Sequence, residues 1–225
     1  MPNRYGLTPP SAVTDPPHYQ HDPARTLESP DGRMRLVPIE KCMSTVVQQW
    51  CSHEGWREQD RWQAPSAVPH VVVLRDPVER WCSAVWMYLL EREWDWRREP
   101  DSLAWHIIED VMVMDTHTEP QYRRLVGLPL QQIQAVDMAD RPHLRLNELL
   151  CTDFFGATTR HTRDLPGWLA RRLDDGLRDR IQQRYNQDYW LRMWLLDAPM
   201  PEALLAQRDA TQDCKNLHTE KNNGL

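Results

Sequence analysis

The stretch from His70 to Ser83, HVVVLRDPVERWCS, decides how this chain is read. His70 to Leu74 is a continuous apolar run bounded by Pro69 and Arg75. A run without alternation fits a strand buried on both faces, as in a parallel sheet. Asp76 is placed to cap a helix and Pro77 to occupy its first position. Val78, Trp81, Cys82, Val85, Trp86 and Leu89 then recur at helical spacing and should face a core. The strand delivers Arg75 to its C-terminal edge, where open α/β sheets bind ligands. Ser83 lies about two turns into the helix, so a guanidinium and a hydroxyl can grip one phosphate. The plainer alternative is a structural Arg75–Asp76 pair with Ser83 on a helix surface.

Upstream the same order recurs. Arg33 to Ile39 (RMRLVPI) reads as a strand, and Ser44 to His53 as a helix ended near Gly55. Between them lie Glu40, Lys41, Cys42 and Met43. Free backbone N–H groups at a helix start bind anions, and the hydroxyls of Ser44 and Thr45 can add to them. Lys41 supplies a mobile point charge. The loop lacks the glycines of a Walker-type phosphate loop, so that motif is excluded. An ordinary N-terminus with a solvent-facing Lys41 is the bland alternative.

Downstream, Asp101 or Ser102 is expected to cap a helix that uses Leu103, Ala104, Ile107, Ile108 and Val111. A short strand is expected near Leu144 to Leu146. A long helix is expected from Leu177 to Leu196, with Ile181, Tyr185, Tyr189 and Met193 at four-residue spacing. Strands alternating with helices predict an α/β fold: a single domain whose central, mainly parallel sheet is flanked by helices. Residues 1–30 hold seven prolines and read as an irregular arm; 31–209 form the domain; 210–225 read as a polar tail.

Composition narrows the function classes. In 225 residues, 27 Lys and Arg stand against 33 Asp and Glu, a net charge of -6, which does not advertise nucleic-acid binding. No run approaches the ~20 apolar residues of a membrane span. No basic segment precedes an apolar run at the N-terminus, so no secretory signal is visible. The five cysteines are scattered, with no CxxC pair, which argues for free thiols and against a structural zinc site. A soluble, cytoplasmic protein is the expectation, with a prokaryotic or viral origin weakly favoured.

RDPVERWCSAVW resembles the RDPxxRxxSxY signature of PAPS-dependent sulfotransferases, and IEKCMSTVV resembles their PKxGSTxL loop. PAPS is 3′-phosphoadenosine 5′-phosphosulfate. Asp115 to Gln121 is similar to the DEHWxPQ segment of the carbohydrate, chondroitin-type members. Leu144 to Leu150 and Tyr185 to Tyr189 resemble their later Glu-Leu and YxxDY segments. The blocks together span residues 34–196. The departures are Glu40 for a proline, Met43 for a small residue, Val85–Trp86 for Ala–Tyr, and no membrane anchor.

The resemblance implies a P-loop-kinase-like sulfotransferase fold. It implies transfer of the sulfuryl group of PAPS to an acceptor hydroxyl, on a carbohydrate, with release of PAP and no metal. Lys41, Cys42, Met43, Ser44 and Thr45 would hold the 5′-phosphosulfate, and Arg75 and Ser83 the 3′-phosphate. Lys41 would also stabilise the leaving oxygen, and His117 would act as general base, with His53 and Asp115 as competitors. His117 and Gln121 would contact the acceptor; apart from the resemblance, Trp94, Trp96 and Arg97 read as an exposed aromatic and basic rim that could contact it too. Two rival readings remain: a small-molecule kinase, and a degenerate sulfotransferase fold that binds nucleotide or a partner without turnover.

Overall fold

The computed structural model describes residues 25–60, 68–91, 108–111, 113, 116–156 and 167–197. Five strands form one sheet in the order β3-β1-β2-β4-β5, flanked by helices. They are β1 (Arg25–Glu28), β2 (Arg35–Val37), β3 (Arg57–Asp60), β4 (His70–Leu74) and β5 (Ile133–Asp137). β2, β4 and β5 run parallel, whereas β1 pairs antiparallel with both β2 and β3. The sheet is therefore mixed but mostly parallel: β1 runs against the other four strands, and the parallel ladders lie at β2–β4–β5.

β4 sits between two parallel neighbours, and every one of its residues is buried, as its unbroken apolar run requires. Because β2, β4 and β5 point the same way, the segments leaving them emerge at one edge of the sheet. Helix α1 (Ser44–His53) has the bounds its sequence signals predict, and α2 (Pro77–Glu91) begins at the Pro77 that they single out. Asp76 caps α2: its Oδ1 accepts the N–H groups of Val78 at 2.9 Å and Glu79 at 3.1 Å.

Residues 25–28 do not belong to an irregular arm. They form β1, joined to β2 by a turn in which Ser29 Oγ accepts the N–H groups of Arg33 and Met34, and Gly32 takes φ 69°. RTLE has no apolar alternation of its own. It becomes a strand through its ladder with β2 and β3 and the Glu28–Arg35 ion pair.

The strand expected at Leu144–Leu146 is helix α3 (Pro142–Leu150). Pro142 starts it, and Leu146 and Leu149, a helical step apart, are the leucines it buries. α4 (Gly167–Arg172) follows. The long helix expected over 177–196 is two, α5 (Asp175–Arg184) and α6 (Asn186–Asp197), parted at Tyr185. Asp174 starts α5 by accepting Leu177 N–H at 2.8 Å. At the break Tyr185 takes φ −109° and ψ 26°, and it donates its hydroxyl to Thr118 O.

The main core joins the sheet to Val47, Trp50 and Cys51 of α1, Leu146 and Leu149 of α3, and Leu191 and Leu195 of α6. A second cluster packs Val78, Trp81, Cys82 and Val85 of α2 against Leu177, Ile181 and Tyr185. Among the described residues, no helix is long and apolar enough to cross a membrane. The helix expected from Asp101 or Ser102 lies largely outside the described residues, as do residues 1–24 and the 210–225 tail.

Candidate functional site

The loop from β2 to α1 turns sharply. Lys41 (φ 65°) and Met43 (φ 61°) both adopt the left-handed conformation that costs a side-chain-bearing residue about 1–2 kcal/mol. Met43 stands at the helix N-cap yet supplies no side-chain cap. The first rung of the helical ladder runs from Val47 N–H to Met43 O at 3.0 Å. The N–H groups of Ser44, Thr45 and Val46 therefore lie outside that ladder, at the positive end of the helix dipole. The left-to-right-handed alternation at Met43–Ser44 is the geometry that gathers successive amides around an anion.

Cys42 departs from its expected role in nucleotide binding. Its N–H is spent on Ile39 O at 3.0 Å, and its thiol points into the core, donating to Gln121 Oε1 at 3.3 Å. Burial pushes that thiol up to about 11, despite the nearby Arg80 and Arg75.

The tip of β4 is held more firmly. The side-chain amide of Gln121 takes both backbone groups of Arg75: Oε1 accepts its N–H at 3.0 Å, and Nε2 donates to its carbonyl at 2.9 Å. Asp188 holds the turn carrying Gln121 by accepting the N–H groups of Gln121 and Tyr122, each at 2.8 Å. Gln121, expected to touch the acceptor, is 1% exposed and fully committed to this brace, so its role is structural. Burial lifts the Asp188 carboxyl to about 6, against the pull of the two N–H donors and Arg80.

Arg80 completes the brace. Fully enclosed, it donates to Glu40 O at 3.0 Å, Thr116 O at 3.2 Å and Glu119 O. One guanidinium thus joins α2 to the β2–α1 loop and to the segment before Gln121.

Arg75 is 9% exposed, and its side chain spans the loops that follow β2 and β4. Its Nη1 donates to Lys41 O at 3.5 Å and its Nε to Glu79 Oε2 at 3.4 Å. Lys41 Nζ reaches across to Met87 Sδ on α2. Glu40, where the resembled loop has proline, is drawn to Arg124 at 3.2 Å.

These groups surround a cavity of about 510 Å³. Lys41, Met43, Ser44 and Thr45 form one side, and Arg75, Ser83 and Met87 another, with His117 also lining it. Lys41 and Arg75 thus share one cavity. The remaining wall is the β5–α3 corner, Met138 to His143, which the strand expected at Leu144 concealed. Pro142 directly after a polar pair was the signal that places a helix start there. Arg141 takes φ 42°, and both it and His143 line the cavity. His53 is exposed at the end of α1, bonded to Glu54, away from this space. Trp94, Trp96, Arg97 and Asp115 lie outside the described residues.

Chemically, the cavity offers three fixed or mobile cations (Lys41, Arg75, Arg141), two hydroxyls at an uncapped helix start, and two imidazoles. Its volume falls within the roughly 300–1,000 Å³ of sites for small molecules and cofactors. The donor set suits an anion with two charged ends. No family model matches this chain, and neither does a curated protein or a solved structure.

Proposed function

We propose that this chain is a PAPS-dependent sulfotransferase. The observation that carries the proposal is the convergence of Lys41, Ser44, Thr45, Arg75 and Ser83 on one cavity, from the tips of two strands, Val37 and Leu74, that are distant in sequence but adjacent in the sheet. In this reading the amides and hydroxyls at the start of α1 receive the 5′-phosphosulfate. Arg75 and Ser83 receive the 3′-phosphate, which distinguishes PAPS from nucleotides lacking it. Lys41 stabilises the charge that grows on the leaving phosphate oxygen; removing one such preorganised donor costs about 3 kcal/mol in activation free energy. His117 accepts the acceptor proton, with His143 as the second imidazole within the same cavity.

Calorimetry with PAP and with 5′-AMP, followed by labelled-sulfuryl transfer, tests the assignment. PAP should bind more tightly than 5′-AMP, and Arg75→Ala should weaken PAP roughly tenfold or more, as expected for a lost charge-assisted hydrogen bond. Unchanged PAP affinity in that variant would remove the 3′-phosphate from Arg75.

A second reading has its own support. Left-handed Met43 and Lys41 strain the loop that should perform the chemistry, which fits a fold that binds nucleotide without turnover. PAP binding with no transfer to any hydroxyl would favour it. A kinase is the weaker rival, since phosphoryl transfer relies on magnesium held beside a glycine-rich loop. Magnesium-dependent turnover would favour the kinase.

A further inference from the structure

Met87 stands on α2 one turn after Ser83; both residues line the cavity, and Met87 is half-buried there. Its Sδ rests against Lys41 Nζ. Lys41 is one of three lysines in the chain, the others being Lys215 and Lys221. A thioether is a weak acceptor, so it holds an ammonium lightly and yields it to a stronger partner. The thiols nearby are of another kind. Cys42 and Cys82 are buried, and burial pushes them up to about 11 and about 12. Kept as thiols, they are poor targets for an oxidant, whereas a thioether reacts without losing a proton. The sulfur beside the lysine is thus both reachable from the cavity and chemically ready.

We propose that Met87 is a site of reversible oxidation by hydrogen peroxide, and that its sulfoxide oxygen captures the ammonium of Lys41. In the step itself, Sδ forms a bond to one peroxide oxygen as the O–O bond breaks. The sulfur is oxidised by two electrons, the peroxide is reduced, and the proton on the transferred oxygen passes to the departing hydroxide, which leaves as water. The product replaces a weak acceptor with a strong one already in contact with Nζ. A charge-assisted hydrogen bond then holds the lysine on α2. The new oxygen also sits one turn from Ser83, where it presents negative charge to any anion entering the cavity. The capture needs no nucleotide; its effect on PAP rests on the donor reading above. Reductases specific for each sulfoxide epimer restore the thioether and release the lysine.

The test uses the full chain with labelled lysine side chains, whose Lys41 signal is assigned with Lys41→Arg. After treatment with hydrogen peroxide, peptide mass mapping should find the sulfoxide at Met87, and the Lys41 signal should shift. Calorimetry should show PAP binding weakened about tenfold, the loss of one charge-assisted hydrogen bond. Treatment with both methionine sulfoxide reductases should return the signal and the affinity to their starting values. Met87→Leu should make both readouts indifferent to peroxide, each compared with that variant's own untreated value. Met138→Leu, which removes another thioether of the same cavity, should leave both responses in place. An unoxidised Met87, a sulfoxide there with an unmoved Lys41 signal, or an equal response in Met87→Leu would each overturn the proposal. Untreated protein that fails to bind PAP would sink the donor reading alone, because the Lys41 signal still decides whether the sulfoxide captures the ammonium.

Discussion

The two loops that leave β2 and β4 at the cavity are built in opposite ways. The turn after β4 is held at every point: Asp76 caps its helix, Gln121 grips both backbone groups of Arg75, and Arg80 beneath it donates to three carbonyls. The loop after β2 has two left-handed residues with side chains and no side-chain cap. One segment is a rigid socket for a permanent charge. The other keeps its amides exposed at the expense of local strain, a combination that backbone strain at functional sites commonly serves. The strained segment leans on the rigid one through Arg75 and Arg80, which donate to Lys41 O and Glu40 O.

This contrast can be broken most severely at Arg80. Arg80→Ala should cost about 4 kcal/mol of folding stability by leaving buried carbonyls unpaired. Chemical denaturation measures this, and a loss below about 1 kcal/mol would show that the brace is not what holds the two segments together. Lys41→Ala should do the reverse. Turnover should fall by on the order of a hundredfold or more while the denaturation midpoint stays put; a shifted midpoint with intact turnover would reverse the assigned roles.

Asp188 gives a pH signature of the rigid side. Its carboxyl is raised from an ordinary 3.8 to about 6, so between those values the folded state holds more protons than the unfolded one. That contribution to stability is present at low pH and declines as pH rises through the window, by about 3 kcal/mol in all. Asp188→Asn should flatten this slope. Denaturation series at stepped pH read it directly, and an equal slope in both proteins would contradict the shift. The smallest effect belongs to the strained side. Met43→Gly relieves a left-handed side chain but loosens the unfolded chain, for a net gain of about 0.5–1 kcal/mol in thermal unfolding. A net loss would mean that the Met43 side chain contributes more by packing than its backbone costs.

The rigid segment was also the legible one. A buried apolar run, a capping Asp76 and a first-turn Pro77 act locally, so the bounds of β4 and the start of α2 follow from the sequence alone. β1 and β3 were missed because RTLE and REQD carry no apolar alternation and become strands only by pairing with each other and with β2. Leu144 and Leu146 mimic a strand's two-residue period, which hid the helix that Pro142 begins. Lys41, Ser44, Thr45, Arg75 and Ser83 were readable because strand tips and helix starts dictate where they emerge, whereas Arg141 and His143 were hidden with the start of α3. Cys42 and Gln121 were not, since which way their side chains turn is decided by distant partners: the thiol of one and the amide of the other meet across the core.

Arg80 has a further implication for how the pocket comes into being. Its three acceptors belong to chain stretches on either side of α2, and the later ones, Thr116 and Glu119, come well after both cavity loops in the chain. A truncated polypeptide stopping at residue 91 would keep the bond from Arg80 to Glu40 O but lack the carbonyls of Thr116 and Glu119 that occupy the rest of its guanidinium. The cavity thus takes its final shape only with the segment that follows α2 in place, the guanidinium being fully enclosed by it.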